Sequence, residues 1–147
     1  MPRGSKKDTT PPKPPGPTCK AMLVCRDVIV DAMTGNVSLI HIFAKFGVPQ
    51  FPGHLAPCKI FASVTNGQGD YSVTAEVQDL DTGNVLAKAQ GPTFKLRTRF
   101  HTHNVIMQVP PLPVPHEGKY DFVLFANGDE IDRQTMTVEP KQQRGAR

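Results

Sequence analysis

Short runs rich in Val, Ile, Thr and Phe, each closed by Gly, Pro, Asn or Asp, follow one another from Leu23 to Val138, and no window among them keeps an apolar period of 3.6 over three turns. The runs are Leu23 to Val30, Val37 to Phe46, Lys59 to Thr65, Tyr71 to Leu80, Asn84 to Ala89, Thr93 to Phe100, Val105 to Val109, Lys119 to Ala126 and Ile131 to Val138. Such a pattern points to an all-β fold. We expect a two-sheet antiparallel β-sandwich of about eight strands, with Greek-key, immunoglobulin-like connections.

The turns carry their own chemistry. Asp31-Ala-Met-Thr34-Gly35-Asn36 and Asp79-Leu-Asp-Thr82-Gly83-Asn84 are one hairpin turn written twice: the Asp accepts bonds from the following amides and the Gly takes a positive φ. Asn66-Gly67 and Asn127-Gly128 mark further hairpins. In the last hairpin, Tyr120, Phe122 and Leu124 share a face, and Tyr120 follows the proline-rich connection Pro110 to Pro115. That arrangement predicts a tyrosine corner, with the connection crossing between sheets and standing outside any ladder. No Trp and no pair of bridging cysteines support a true immunoglobulin domain.

Charge divides the chain into three parts. Residues 1–20 hold five cations against Asp8 and six prolines, residues 141–147 hold three more cations, and residues 21–140 are left with a net charge of −3 out of the chain's total of +4. The ends have too little apolar surface to offset the entropy of ordering, so we expect disordered basic tails flanking a β-domain at 21–140. No apolar run reaches the ~18 residues of a membrane span and the start of the chain has no signal-peptide pattern, which predicts a soluble, cytoplasmic protein without membrane insertion.

Cys25-Arg-Asp-Val-Ile-Val-Asp31, Thr34-Gly-Asn-Val-Ser-Leu-Ile40, Phe51-Pro52, the Tyr71 strand with Asp79 to Gly83, and Gly118-x-Tyr120-x-Phe122 through Asn127-Gly128 occur in that order. Over about residues 22–140, this order resembles a bacterial family catalogued only as a domain of unknown function. The resemblance implies a small β-sandwich and no established activity, so it supplies no catalytic residue.

The residues themselves give little catalytic chemistry. Cys19, Cys25 and Cys58 lack metal-type spacing and read as reduced thiols. His101 and His103 share one strand face, but a zinc site needs further ligands, and Cys58, His116 and His54 supply them only if the fold gathers them there. No nucleophile elbow or phosphate loop is present, and acidic pairs such as Asp79 and Asp81 fall in turns. We therefore expect no enzyme, no cofactor and no metal.

Two surface features remain. Read as one strand, Lys95, Arg97, Arg99, His101 and His103 form a row of cations at about 6.6 Å spacing opposite Phe94, Leu96 and Phe100. A change in apolar parity before Val105 predicts a turn near 101–104 that shortens the row. The row serves either to bind a polyanion or to blunt an edge strand. Second, strands apolar on both faces predict an outer face covered by a loop or another subunit, with Phe51, Val123 and Phe125 as candidate interface residues. The leading reading is a non-catalytic module that binds a protein partner or pairs with itself. The alternative is a polyanion binder that uses 95–103 and the basic ends.

Overall fold

The computed structural model of the protein describes residues 16–141. Its strands are β1 (Thr18–Val30), β2 (Val37–Ile42), β3 (Lys45–Val48), β4 (Gly53–His54), β5 (Lys59–Thr65), β6 (Gly69–Asp79), β7 (Val85–Leu96), β8 (His103–Gln108), β9 (Pro113–Val114), β10 (Gly118–Ala126) and β11 (Asp129–Pro140). They form a four-stranded sheet in the order β2-β1-β5-β8, a five-stranded sheet in the order β3-β11-β10-β6-β7 and a small sheet pairing β4 with β9. The described residues contain no helix, so none is long and apolar enough to cross a membrane. The proposed tails fall largely outside the described residues, although Thr18 to Lys20, assigned above to the first of them, belong to β1.

Alternation builds the core. In β6, Tyr71, Val73, Ala75 and Val77 are buried while the residues between them stay partly in water. In β10, Tyr120, Phe122, Leu124 and Ala126 enter the same apolar cluster, joined from the other large sheet by Val24, Ile60, Ala62, Val64, Val105 and Met107. Full burial of a Leu or Phe side chain is worth about 1.5–3 kcal/mol, so this shared cluster is the main attraction between the sheets.

Several expectations need correction. The run from Val37 to Phe46 is two strands: β2 pairs with β1, and after Ile42 the chain changes sheets so that β3 pairs in parallel with β11. The fold is therefore not wholly antiparallel. Asn84 to Ala89 and Thr93 to Phe100 are not separate, because β7 continues through Gly91, where a Cβ would meet Val73 and Met107. The proline connection does enter a ladder, since Pro113 and Val114 pair with His54 and Gly53, while Leu112 and Val114 are buried. Proline lacks only the donor; its carbonyl still accepts.

The doubled turn closes as its chemistry requires. Asp31 Oδ1 accepts from the Met33 and Thr34 amides, and Asp79 Oδ1 accepts from the Asp81 amide. In each copy the glycine amide bonds back to the Asp carbonyl, at 2.8 Å for Gly35 and 2.7 Å for Gly83, with φ of 75° and 78°. A side chain at either glycine would be strained.

Tyr120 fixes the start of β10. Its hydroxyl donates to the His116 carbonyl at 2.5 Å, and its ring stacks on the His116 ring with centroids 5.6 Å apart. We predict that Tyr120→Phe, which keeps the ring and removes this bond, costs about 1–2 kcal/mol in urea unfolding. An unchanged midpoint would show that the corner contributes nothing to stability.

Candidate functional site

At the end of β7, Phe94 and Leu96 point into the core and Lys95 points to water. The chain then leaves the five-stranded sheet, turns over 97–102 and joins the four-stranded sheet as β8. The turn is tied to the β5–β6 connection: the Asn66 amide donates to the Arg99 carbonyl at 3.1 Å and Thr65 Oγ1 to the His101 carbonyl at 3.0 Å. Internally, the His101 amide donates to the Thr98 carbonyl and the Arg97 amide to His101 Nδ1. With its backbone held this way, the turn directs its long side chains outward.

The row is cut short, as the parity change indicated, but earlier than the expected 101–104: β7 ends at Leu96 and β8 begins at His103. Lys95 lies on β7 and His103 on β8, while Arg97, Arg99 and His101 lie on the turn between them. Lys95, Arg97, His101 and His103 nevertheless line one open depression of about 620 Å³, with Phe94 and Thr98. Arg99 faces a neighbouring one of about 310 Å³, lined also by Asn66, Gly67 and Gln68. Phe100, read above on the face of Phe94 and Leu96, is 89% exposed at the turn because the strand has already ended.

The electrostatics are narrower than five cations. His101 Nδ1 is tied into the turn by the Arg97 amide at 3.2 Å. His103 stacks on Phe94 at 4.3 Å, and burial, followed by the nearby His101, pushes its pKa down. Lys95, Arg97 and Arg99 are the permanent charges of the group. Lys95 lies 4.0 Å from Asp70, and neither Arg97 nor Arg99 has an ion pair among the described residues. The start of β1 lies at the same pole: Thr18 pairs with Thr65, and Asn66 Nδ2 donates to Thr18 Oγ1 at 3.2 Å.

The candidate interface residues are placed differently. Val123 is fully buried within its own chain, between Arg133 of β11 and Glu76 of β6 in the pairing. Arg133 reaches along this face to Asp121 Oδ2 at 2.5 Å and to Glu130. Phe51 packs partly buried against the core and Phe125 is half-buried. The large exposed apolar side chains lie elsewhere, several of them on the β1–β2 hairpin at Ile29, Val30, Met33 and Ile42.

The cysteines are free thiols, and burial is the main cause that pushes Cys19 up to about 12 and Cys58 to about 11, far from a reactive thiolate. Cys58 precedes Lys59 at one end of β5, whereas His103 pairs with Val64 at the other, so these residues cannot share a metal. One group with metal-type side chains does come together among the described residues: Asp79, Asp81 and His116. His116 Nε2 lies 2.7 Å from Asp79 Oδ2, while Nδ1 lies 2.7 Å from the Glu117 carbonyl and 3.6 Å from Asp81 Oδ2. Acceptors at both nitrogens favour the protonated ring over one with a lone pair free for a metal. The sequence spacing gave no sign of this pair, because Asp79 and His116 meet only when β6 and β10 align.

A family model described as a family of unknown function (DUF6941) matches residues 20–139. No curated protein matches the chain.

The His116 pair makes stability depend on pH. The bonds to the Glu117 carbonyl and Asp79 raise His116 above its usual 6.5; burial pushes Asp79 up, but the bonds from His116 and the Asp81 amide outweigh it and hold Asp79 below 3.8. A raised histidine stabilises fully below its ordinary pKa and loses that contribution as pH climbs through the raised value. Between about pH 6 and 9 the urea midpoint should therefore fall further for the wild-type protein than for His116→Gln. Parallel curves for the two proteins would remove the ion pair from the account.

Proposed function

The chain belongs to a family of unknown function, and on that premise we propose that it is a non-catalytic binding module that takes a single-stranded nucleic acid at the pole formed by residues 95–103. The observation that carries this reading is that Lys95, Arg97 and Arg99, on one turn and the strand end before it, line two open depressions with Phe100 exposed on the same turn. Phosphates are held by charge and by the Arg forks, while an exposed aromatic ring offers a base a stacking surface worth about 1–3 kcal/mol. No carboxylate lines the larger depression. Thr18, at the start of β1, pairs with Thr65 and bonds to Asn66 beside this turn. The tyrosine corner supports reading the architecture as a Greek-key, immunoglobulin-like sandwich, a scaffold that presents binding loops at its ends. A cytoplasmic location fits this role.

The test uses full-length protein with an oligothymidine and with inorganic polyphosphate. Lys95/Arg97/Arg99→Ser should weaken both and flatten the salt dependence of oligonucleotide binding by about 2 in log–log slope, from about 0.7 per lost phosphate contact. Phe100→Ala should weaken the oligonucleotide about 5-fold or more and leave polyphosphate unchanged. Unchanged binding in the triple variant would remove the site, and equal effects of Phe100→Ala on both ligands would remove the nucleic acid.

A further inference from the structure

The β1–β2 hairpin is a two-stranded arm. β1 pairs with β5 only from Thr18 to Cys25 and with β2 only from Cys25 to Val30, so β2 lies along the half of β1 that has run past the rest of its sheet. The arm is apolar on both faces. Val28 and Val30 stand with Leu39 and Val37 on one face, and Ile29, Ile40 and Ile42 lie on the other together with Asp27 and Ser38. Ile29, Val30 and Ile42 are about half exposed, and Met33 at the tip is 93% exposed.

β2 is also an open edge, and it lacks the charges that blunt such edges. Its residues are Val37-Ser-Leu-Ile-His-Ile42, whereas the outer strands of the five-stranded sheet carry Lys45 on β3 and Lys88 and Lys95 on β7. The other open side of the arm, along β1, carries Arg26 and Asp27. The Asp31 amide bonds to the Asn36 carbonyl, which sets the alternation: Ser38 and Ile40 direct their backbone groups toward β1, and Val37 and Leu39 direct theirs to the free edge. His41, with φ of 54°, ends the regular edge.

We propose that two copies of this chain pair antiparallel through β2, Val37 of each exchanging both backbone hydrogen bonds with Leu39 of the other across a two-fold axis at Ser38. The occupant is a second copy because the edge is complementary to itself: this register satisfies the outward donors and acceptors of Val37 and Leu39 in both chains at once. The same register brings each hairpin tip, and Met33 with it, to Ile42 of the other copy. The valine and leucine face becomes continuous across the junction. Met33, 93% exposed, and Ile42, about half exposed, are the apolar side chains that this register brings together at the two ends of the junction.

Light scattering and sedimentation of the full chain at tens of micromolar should give twice the 16.1 kDa of one copy. Leu39→Pro removes an amide that faces the free edge and spares the bonds to β1; it should give a monomer with the wild-type thermal transition. Ser38→Cys places two cysteines opposite each other in a non-hydrogen-bonded pair, with Cβ atoms about 4.5 Å apart, so mild oxidation should cross-link it, while Thr34→Cys stays uncross-linked. A monomeric wild-type chain at that concentration, a dimer unaffected by Leu39→Pro, or cross-linking through Thr34 in place of Ser38 would overturn the proposal. Each outcome is independent of nucleic-acid binding, because β2 and the 95–103 turn share no residue.

Discussion

The backbone of the 97–102 turn is held against the β5–β6 connection, and the exposed surface at that pole depends on it. The bonds from the Asn66 amide and the Thr65 hydroxyl to the carbonyls of Arg99 and His101 position the turn. They hold because β5 is buried at the centre of its sheet and β7 is anchored through Phe94 and Leu96. A rigid core on both sides of a short crossover is what allows a polar turn to present Arg97, Arg99 and Phe100 in a fixed arrangement. With the order lost from its backbone, the same residues would be scattered charge.

Two surfaces with different chemistry result. The pole at 95–103 is cationic and carries one exposed aromatic ring, while the β1–β2 arm is apolar and uncharged along its free edge. They lie on different elements, so a paired module would carry two copies of the cationic pole. A polyanion long enough to engage both would bind with an avidity that neither pole has alone. In the alternation of β10, by contrast, the outward Val123 is enclosed by long polar neighbours and offers nothing to a partner.

Much of this was legible in the residues. Period-two burial of Tyr71, Val73, Ala75 and Val77, the doubled Asp-x-x-Thr-Gly-Asn turn and the Tyr120 corner followed from local chemistry, and the structure contains each of them. Local chemistry could not show where a strand changes sheets. Val37 to Phe46 reads as one unbroken strand-like run with apolar residues on both faces, yet β2 and β3 belong to different sheets, because pairing partners are chosen by the whole fold. Phe100 was misplaced for a related reason: its parity matches Phe94 and Leu96, but β7 ends before it. The parity shift before Val105 was the available sign of that ending. His116 with Asp79 was invisible because 37 residues separate them in the chain and no spacing rule spans that distance.

The most direct measurement of the central claim is a backbone amide NMR titration of the full chain with an oligothymidine at moderate salt. Binding at the cationic pole predicts shifts concentrated in residues 95–103, with smaller ones at Asn66 to Gln68 and Thr18. Shifts confined to the basic segment before Thr18, or centred on the β1–β2 arm, would contradict it.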